Sequence, residues 1–234
     1  MAKTTKKGLQ QVARKLIANS NPKSYVSEQY RTVRTNISFS SADKEVSTLL
    51  VTSAVPGEGK STTSANLAVV FAQSGKRVLL VDGDMRKPTS HYTFHVNNAI
   101  GLSNLLTRQA NMEDAIRRTN IENLDLITSG PIPPNPAELL ASRTMDAVLQ
   151  ELLSGYDLVI FDAPPVLSVT DAQILANKCE GTILVVNSGA TEKENALKAK
   201  EAIQKTNGRI LGTVLNNFKF EKENGYYQYY GTAE

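Results

Sequence analysis

The segment Ala54-Val55-Pro56-Gly57-Glu58-Gly59-Lys60-Ser61 sets the architecture of this chain. It fits the pattern of a small residue, four spacers and then Gly-Lys-Ser, which is typical of loops that fold backbone N–H groups around phosphate oxygens. Glycine is needed where a side chain would collide with the anion, and the helix that follows directs its positive end at the phosphates. The segment therefore predicts a nucleotide site.

The residue types of this loop predict individual roles. Lys60 is expected to reach the β and γ phosphates, and the Ser61 hydroxyl is expected to bind Mg²⁺. An apolar, β-branched run precedes the loop at residues 48–52 and helical spacing follows it at residues 62–72, so strand, loop and helix are all predicted. The predicted nucleotide contacts of the loop are Pro56, Gly57, Glu58, Gly59, Lys60, Ser61 and Thr62.

Further apolar runs indicate buried strands, and segments of helical spacing alternate with them. Helical spacing extends over residues 136–153 and 192–205. Apolar strands joined by helical crossovers predict an α/β fold, with a mostly parallel central sheet covered by helices on both faces. In this class the ligand lies at the carboxyl ends of the strands. The further predicted strands are residues 78–82, 124–128, 158–162, 182–187 and 210–216.

Two of the predicted strands end in aspartates. Asp162 ends the run Leu158-Val159-Ile160-Phe161-Asp162, which is the position of a carboxylate that binds Mg²⁺ directly or through its water in phosphate-loop proteins. Asp82 and Asp84 alternate along an extended segment, so both can point to one side, and Arg86, in phase with them, is counted among the nucleotide contacts. Asp82 and Asp162 can order the metal and its waters, while Asp84 is the candidate base. An ordinary turn at a strand end is the alternative for all three aspartates.

Length and charge narrow the class of protein. The 234 residues fit one α/β domain, and no run of about 18 apolar residues or signal peptide is found, so a cytoplasmic protein is expected. The first 27 residues carry six Lys or Arg and no acid, which predicts a basic arm that contacts an anionic membrane or acidic partner, or stays solvated. Cys179 is expected to be a packing residue, and no transition metal or nucleic acid is expected.

Five motifs together resemble the bacterial protein-tyrosine kinases called BY-kinases, specifically the kinase subunits that are separate from a membrane activator. The loop at residues 54–61 is the first, Asp82-Gly83-Asp84-Met85-Arg86 is the second, and Phe161-Asp162-Ala163-Pro164-Pro165 is the third, with alanine where serine or threonine is usual. Residues 28–34 fit Glu-x-x-Arg-x-x-Arg, and residues 225–231 look like the family's C-terminal tyrosine cluster. The resemblance covers nearly the whole chain and implies a P-loop NTPase of the MinD/ParA-like group.

The resemblance implies an ATP-dependent protein-tyrosine kinase that phosphorylates its own tail in trans and other proteins on tyrosine, regulating capsule or exopolysaccharide synthesis or export. Glu28, Arg31 and Arg34 form a charged stripe that would otherwise be a solvated helix face. The resemblance implies that this stripe contacts a neighbouring subunit in a homo-oligomeric ring. It also implies a transmembrane activator whose cytoplasmic tail completes the nucleotide site and recruits the kinase to the inner face of the membrane. The implied phosphoacceptors are Tyr226, Tyr227, Tyr229 and Tyr230, and the implied adenine contact is Asn216 or Asn217.

This interpretation divides the chain into a basic arm (1–27), a kinase domain (28–220) and a flexible tail (221–234). Two alternatives share the fold. One is an ATP-driven positional switch of the septum-site or chromosome-partitioning kind, but Val55 and Pro56 occupy the places where the loop of those proteins begins Lys-Gly-Gly. The other is a catalytically silent regulator of polysaccharide export, which a lack of phosphotransfer by the purified chain would reveal.

Overall fold

A computed structural model describes residues 13–40 and 45–218. Seven strands form one sheet, and their spatial order is the third, fourth, second, fifth, first, sixth and seventh along the chain. The strands predicted from the apolar runs are confirmed, and they are all of the seven except the third. The strands are β1 (Thr48–Ser53), β2 (Val78–Asp82), β3 (Ile116–Arg118), β4 (Leu124–Ile127), β5 (Leu158–Asp162), β6 (Gly181–Asn187) and β7 (Ile210–Asn216).

Neighbouring strands pair in parallel everywhere except at one edge, where β3 runs antiparallel to β4. Strand β3 was not predicted, because three residues are too few to show a period. Helices join the strands and cover both faces of the sheet. They are α1 (Ile17–Ser20), α2 (Tyr25–Phe39), α3 (Lys60–Ala72), α4 (Ser90–Phe94), α5 (Leu102–Leu106), α6 (Met112–Ala115), α7 (Pro136–Ala141), α8 (Arg143–Gly155), α9 (Asp171–Lys178) and α10 (Lys193–Lys205).

Two hydrophobic cores lie on opposite faces of the sheet. Successive strand residues alternate between them, so Leu50 belongs to the core beneath α8 and α9, whereas Leu49 belongs to the core beneath α3. Helix α3 is buried from Thr63 to Ala72 without interruption, because the sheet covers one side and α2 covers the other. The phosphate loop at the start of α3 is therefore anchored to the most deeply buried helix. Cys179 is also buried in a core, as predicted.

The helix predicted over residues 136–153 is two helices, which corrects that prediction. Helix α7 ends at Ala141, and Ser142 takes an extended conformation with ψ of 157°. The Ser142 hydroxyl accepts a hydrogen bond from the backbone N–H of Met145 at 3.2 Å. A serine that satisfies a free N–H in this way starts a new helix, so apolar periodicity alone could not show the break.

The described part of the N-terminal segment packs against α3. The Asn66 side chain accepts a hydrogen bond from the Ala18 N–H at 3.0 Å and donates to the Lys15 carbonyl at 2.9 Å. Helix α2 crosses the predicted arm–domain boundary at residue 28, and that boundary stays a prediction. None of the helices within residues 13–40 and 45–218 is both long and apolar enough to cross a bilayer.

Candidate nucleotide and phosphotransfer site

The carboxyl ends of three adjacent strands meet at one edge of the sheet. Strand β1 continues into the phosphate loop, β2 ends at Asp82 and β5 ends at Asp162. Asp82 and Asp162 are register partners in the parallel β2–β5 pair. The sheet therefore holds two carboxylates on neighbouring backbones beside the loop.

The loop between β1 and α3 uses backbone conformations that glycine adopts readily. Gly57 and Gly59 have φ angles of 86° and 95°. Helix α3 begins at Lys60, so the free N–H groups of its first turn and its positive dipole end face the loop. This geometry fits an anion-binding loop, which is what the sequence of residues 54–61 predicts.

Lys60 lies among the acidic residues. Its Nζ donates a hydrogen bond to Asp84 Oδ2 at 3.0 Å and lies 3.8 Å from Asp162 Oδ1, and only 13% of its side chain is exposed. Burial alone would lower the pKa of Lys60, but the charges of Asp162, Asp84 and Asp82 outweigh burial and raise it. The ammonium group is therefore kept charged where a triphosphate would need neutralising.

Asp82 is fully buried, and backbone N–H groups surround its carboxylate. Thr89 and Ser90 donate to Oδ2 at 3.1 and 3.0 Å, and Asp84 donates to Oδ1 at 3.3 Å. Burial and then the like charge of Asp162 raise the pKa of Asp82 to about 7. Its side chain orders the connection from β2 to α4. The predicted role of Asp82 at the metal stays a prediction.

Hydrogen bonds fix the Asp-Gly-Asp segment at the end of β2, and its role in the site stays a prediction. The Gly83 N–H donates to the Asp162 carbonyl at 2.8 Å, and a Cβ on Gly83 would lie 3.1 Å from the same oxygen. Asp84 Oδ1 accepts from the Lys87 N–H at 3.0 Å, while its Oδ2 accepts from Lys60. Both aspartates are thus fixed beside β5.

Asp162 offers the clearest fit to a bound cation. Its side chain is 1% exposed, and Oδ1 has no hydrogen-bond partner among the described residues. Burial raises the pKa of Asp162, whereas the charge of Lys60 and the Ser61 hydroxyl oppose the rise. A buried carboxylate oxygen beside Ser61 suits Mg²⁺, which uses one or two protein ligands together with phosphates and water. No three His, Cys, Asp or Glu side chains converge on a metal position in the part described.

Arg86 and the two asparagines have partners within the chain. The Arg86 guanidinium makes two bonds to Asp171, which is fully buried at the start of α9, at 2.9 and 3.0 Å. Asn216 Nδ2 donates to the Glu58 carbonyl at 2.9 Å, whereas Asn217 is exposed and donates to Asn187. Asn216 is the asparagine beside the loop. The nucleotide contacts predicted for all three residues stay predictions.

The charged stripe on α2 is partly involved in intramolecular contacts. Arg34 Nη1 donates to the Val70 carbonyl at 3.0 Å, in the last turn of α3, where helix carbonyls lack helical partners. Arg31 pairs with the exposed Glu28 and also donates to the Pro22 carbonyl at 2.6 Å. The predicted subunit contact stays a prediction. The tyrosines of residues 226–230 lie outside the described residues.

Two residues near the site are not among the predicted site residues, although Arg14 belongs to the basic arm. The positive charge of Arg14 is among the influences that lower the pKa of Asp162, and its backbone N–H donates to Thr93 Oγ1 at 3.0 Å. Thr191 follows β6 and donates a hydrogen bond to Glu58 of the phosphate loop. Both come from parts of the sequence without a recognisable motif, and only the folded chain brings them to the site.

The fold and the site together define a P-loop nucleotide-binding protein. Residues 46–210 match the protein-family model described as an AAA domain. The tyrosine-protein kinase YwqD of Bacillus subtilis (strain 168) is 54% identical over 221 residues, which cover 94% of this chain and 93% of that protein. The putative tyrosine-protein kinase CapB of Staphylococcus aureus is 45% identical, with 92% and 95% covered. The chain belongs to the BY-kinase family of bacterial protein-tyrosine kinases, as the sequence motifs predict.

Solved structures agree. The chimerical protein CapA2B2 superposes with a TM-score of 0.85 at 47% identity, covering 89% of this chain and 93% of that one. The septum site-determining protein MinD of Pyrococcus horikoshii OT3, complexed with Mg-ADP, gives a TM-score of 0.64 at 28% identity, covering 75% and 72%. The predicted P-loop fold is confirmed, and the kinase relatives match more of the chain than the positional switch does.

Proposed function

We propose that this tyrosine kinase binds ATP with Mg²⁺ on residues 54–61 and transfers the terminal phosphoryl group to tyrosine hydroxyls, including those of its own tail. The observation that carries the proposal is the position of the Lys60 ammonium, 3.0 Å from Asp84 and 3.8 Å from Asp162 at the mouth of the phosphate loop. One charged donor there can contact both the phosphates and the acidic residues that flank them.

Each residue has a role in the proposed reaction. The loop N–H groups and Lys60 bind the phosphates, and Ser61 with Asp162 would hold Mg²⁺, which neutralises phosphate charge. The tyrosine oxygen forms a bond to the terminal phosphorus as the bond from that phosphorus to the bridging oxygen breaks, and ADP leaves. A tyrosine hydroxyl is protonated at neutral pH, so Asp84 accepts its proton.

The proposal includes partners that act on this site. Tyr226, Tyr227, Tyr229 and Tyr230 would enter the site of a neighbouring copy in a homo-oligomeric ring. A transmembrane activator would complete the nucleotide site with its cytoplasmic tail and bring the kinase to the inner face of the membrane, where the basic arm can add a contact. Family resemblance supports both, together with a role in capsule or exopolysaccharide production.

Mass spectrometry of the chain after incubation with ATP and Mg²⁺ tests the proposal. We expect phosphate on residues 226–230 in the wild type, with more phosphate when an activator-tail peptide is added, and none in Lys60→Met. Lys200→Met, which changes an exposed lysine on α10, is the matched control and should behave as the wild type. A wild-type chain that stays unmodified under both conditions would instead favour a catalytically silent regulator.

A further inference from the structure

A carboxylate is buried inside the loop that is meant to receive anions. Glu58 is 2% exposed, and its Oε2 accepts a hydrogen bond from the Val55 N–H at 2.9 Å, three residues earlier in the same loop. Its Oε1 accepts from the Thr191 hydroxyl. The side chain therefore joins two separate segments of the chain, the phosphate loop and the connection that follows β6.

Thr191 is itself fixed in place. It lies in the connection from β6 to α10, and its Oγ1 also accepts a hydrogen bond from the Asn187 N–H at 2.9 Å, at the end of β6. The threonine hydroxyl thus accepts from the sheet and donates to the loop. The Thr191 side chain therefore links the Glu58 carboxylate to the end of β6 by two hydrogen bonds.

The backbone of Glu58 is held from the other side. Its carbonyl accepts the hydrogen bond from Asn216 Nδ2 at the end of β7, and a Cβ at the neighbouring Gly59 would lie 2.1 Å from that nitrogen. The loop is therefore clamped between the ends of β6 and β7 through the side chain and the backbone of one residue.

We propose that Glu58 and Thr191 are positioning residues that hold the phosphate loop in its anion-binding shape before the nucleotide arrives. A buried carboxylate is costly unless it is hydrogen-bonded, so losing the Thr191 hydroxyl frees the loop to rearrange. A loop already shaped for its ligand spends less binding free energy on ordering. The two residues therefore act on nucleotide affinity without touching the reacting atoms.

Because Glu58 is acidic, the positioning role and simple charge repulsion predict opposite changes in nucleotide affinity. A carboxylate near a triphosphate repels it, so if Glu58 had no positioning role, removing its charge would tighten nucleotide binding. The positioning role predicts that Glu58→Ala weakens binding. The same substitution thus gives opposite results under the two explanations.

Titration of ADP-Mg²⁺ into the full chain measures the effect. We expect Thr191→Val, which replaces the hydroxyl with a methyl group, and Glu58→Ala each to weaken binding by roughly tenfold, because each removes the hydrogen bond that links Thr191 to the loop. Thr191→Ser should stay within about twofold of the wild type because the hydroxyl remains. The double variant should bind nucleotide no more weakly than Glu58→Ala alone, because the bond that links Thr191 to the loop is already absent in Glu58→Ala. Thr213→Val, at an exposed position on β7, is the matched control and should not change affinity.

A kinetic readout separates positioning from general loss of structure. Thr191→Val should raise the KM for ATP. Its kcat at saturating ATP should stay nearly unchanged, because Lys60 and the aspartates remain. Tighter or unchanged binding by Glu58→Ala, or additive losses in the double variant, would overturn the inference. The inference rests on the proposed nucleotide site. If the wild-type chain does not bind ADP-Mg²⁺, the proposed site itself is wrong, and this result is obtained before any variant is compared.

Discussion

At the scale of single residues, the site depends on one lysine surrounded by carboxylates that have different partners. Asp84 contacts Lys60 directly, whereas Asp82 is occupied by the backbone N–H groups of the β2–α4 connection. Asp162 keeps one buried oxygen without a hydrogen-bond partner among the described residues. Because the three carboxylates have such different surroundings, their substitutions should be separable.

The first prediction separates the proposed base, Asp84, from the carboxylates proposed to order the metal. Asp84→Asn should lower kcat for phosphotransfer by about 10²–10⁴-fold while ATP-Mg²⁺ affinity changes little, because the amide cannot accept the tyrosine proton. Asp162→Asn and Asp82→Asn should lower ATP-Mg²⁺ affinity more. Calorimetric affinities and initial rates measure both quantities, and equal affinity losses in all three variants would remove the distinction.

A second prediction follows from the raised pKa of Asp82. The carboxyl has a pKa near 4 in the unfolded chain and about 7 in the folded chain. The folded state therefore binds the proton more tightly, so the contribution of Asp82 to stability is full below about pH 4 and is lost as pH rises toward about 7. Without nucleotide, the wild type should become less stable between about pH 5.5 and about pH 8.

Asp82→Asn tests this origin of the pH dependence, since the amide carries no charge at either pH and can still accept from Thr89 and Ser90. Urea unfolding at both pH values should show a smaller decline for the variant than for the wild type. Parallel declines in the two proteins would assign the pH dependence to other groups.

At the scale of secondary-structure elements, α2 contributes to stability within one chain as well as presenting the stripe proposed to contact a neighbour. Arg34 reaches the last turn of α3, whereas Arg31 bonds to the chain just before its own helix. The two arginines should therefore respond differently to truncation, although the spacing of their motif treats them alike.

The third prediction is that Arg34→Ala lowers the free energy of unfolding by about 1 kcal/mol, because the Val70 carbonyl loses a charged donor. Arg31→Ala should change stability by less than about 0.5 kcal/mol, since its partners, the Glu28 carboxylate and the Pro22 carbonyl, belong to exposed residues that water can solvate once the arginine is removed. If the stripe forms the ring, Arg31→Ala should still reduce the oligomer mass in light scattering. An unchanged oligomer mass would mean that Arg31 lies on a solvated face and does not contact a neighbouring subunit.

The elements also show what the sequence could and could not predict. The apolar runs of the parallel strands marked the sheet, and the aspartates at the ends of β2 and β5 followed from the same runs. The break at Ser142 was missed because one hydroxyl bond produced it within a continuous apolar period. The pairing of Arg86 with Asp171 was also missed, because it joins a strand end to a distant helix start and local patterns carry no information about such contacts.

At the scale of the whole molecule, the proposal concerns transfer between copies of the chain. Each phosphotyrosine adds roughly −1.5 to −2 charges, so a fully phosphorylated tail would be repelled by the acidic residues of a neighbour's site. Phosphorylation would then loosen the assembly and limit itself.

The fourth prediction changes all four tail tyrosines to phenylalanine. Autophosphorylation should be lost, phosphorylation of a separate tyrosine substrate should persist, and the oligomer should stay intact with ATP, as measured by phosphate incorporation and light scattering. Dissociation of the four-Phe chain with ATP, as in the wild type, would assign the switch to ATP turnover instead.

The most direct measurement mixes two chains with complementary defects, one in the proposed site and one in the proposed acceptor tyrosines. A Lys60→Met chain keeps its tyrosines but lacks the ammonium proposed to bind the phosphates, and the four-Phe chain keeps the site but lacks the proposed acceptors. Mass spectrometry after incubation with ATP and Mg²⁺ should find phosphate on residues 226–230 of the Lys60→Met chain in the mixture and none when either chain is alone. Phosphate on the Lys60→Met chain alone, or its absence from the mixture while the wild type is modified, would contradict transfer in trans by the site around Lys60.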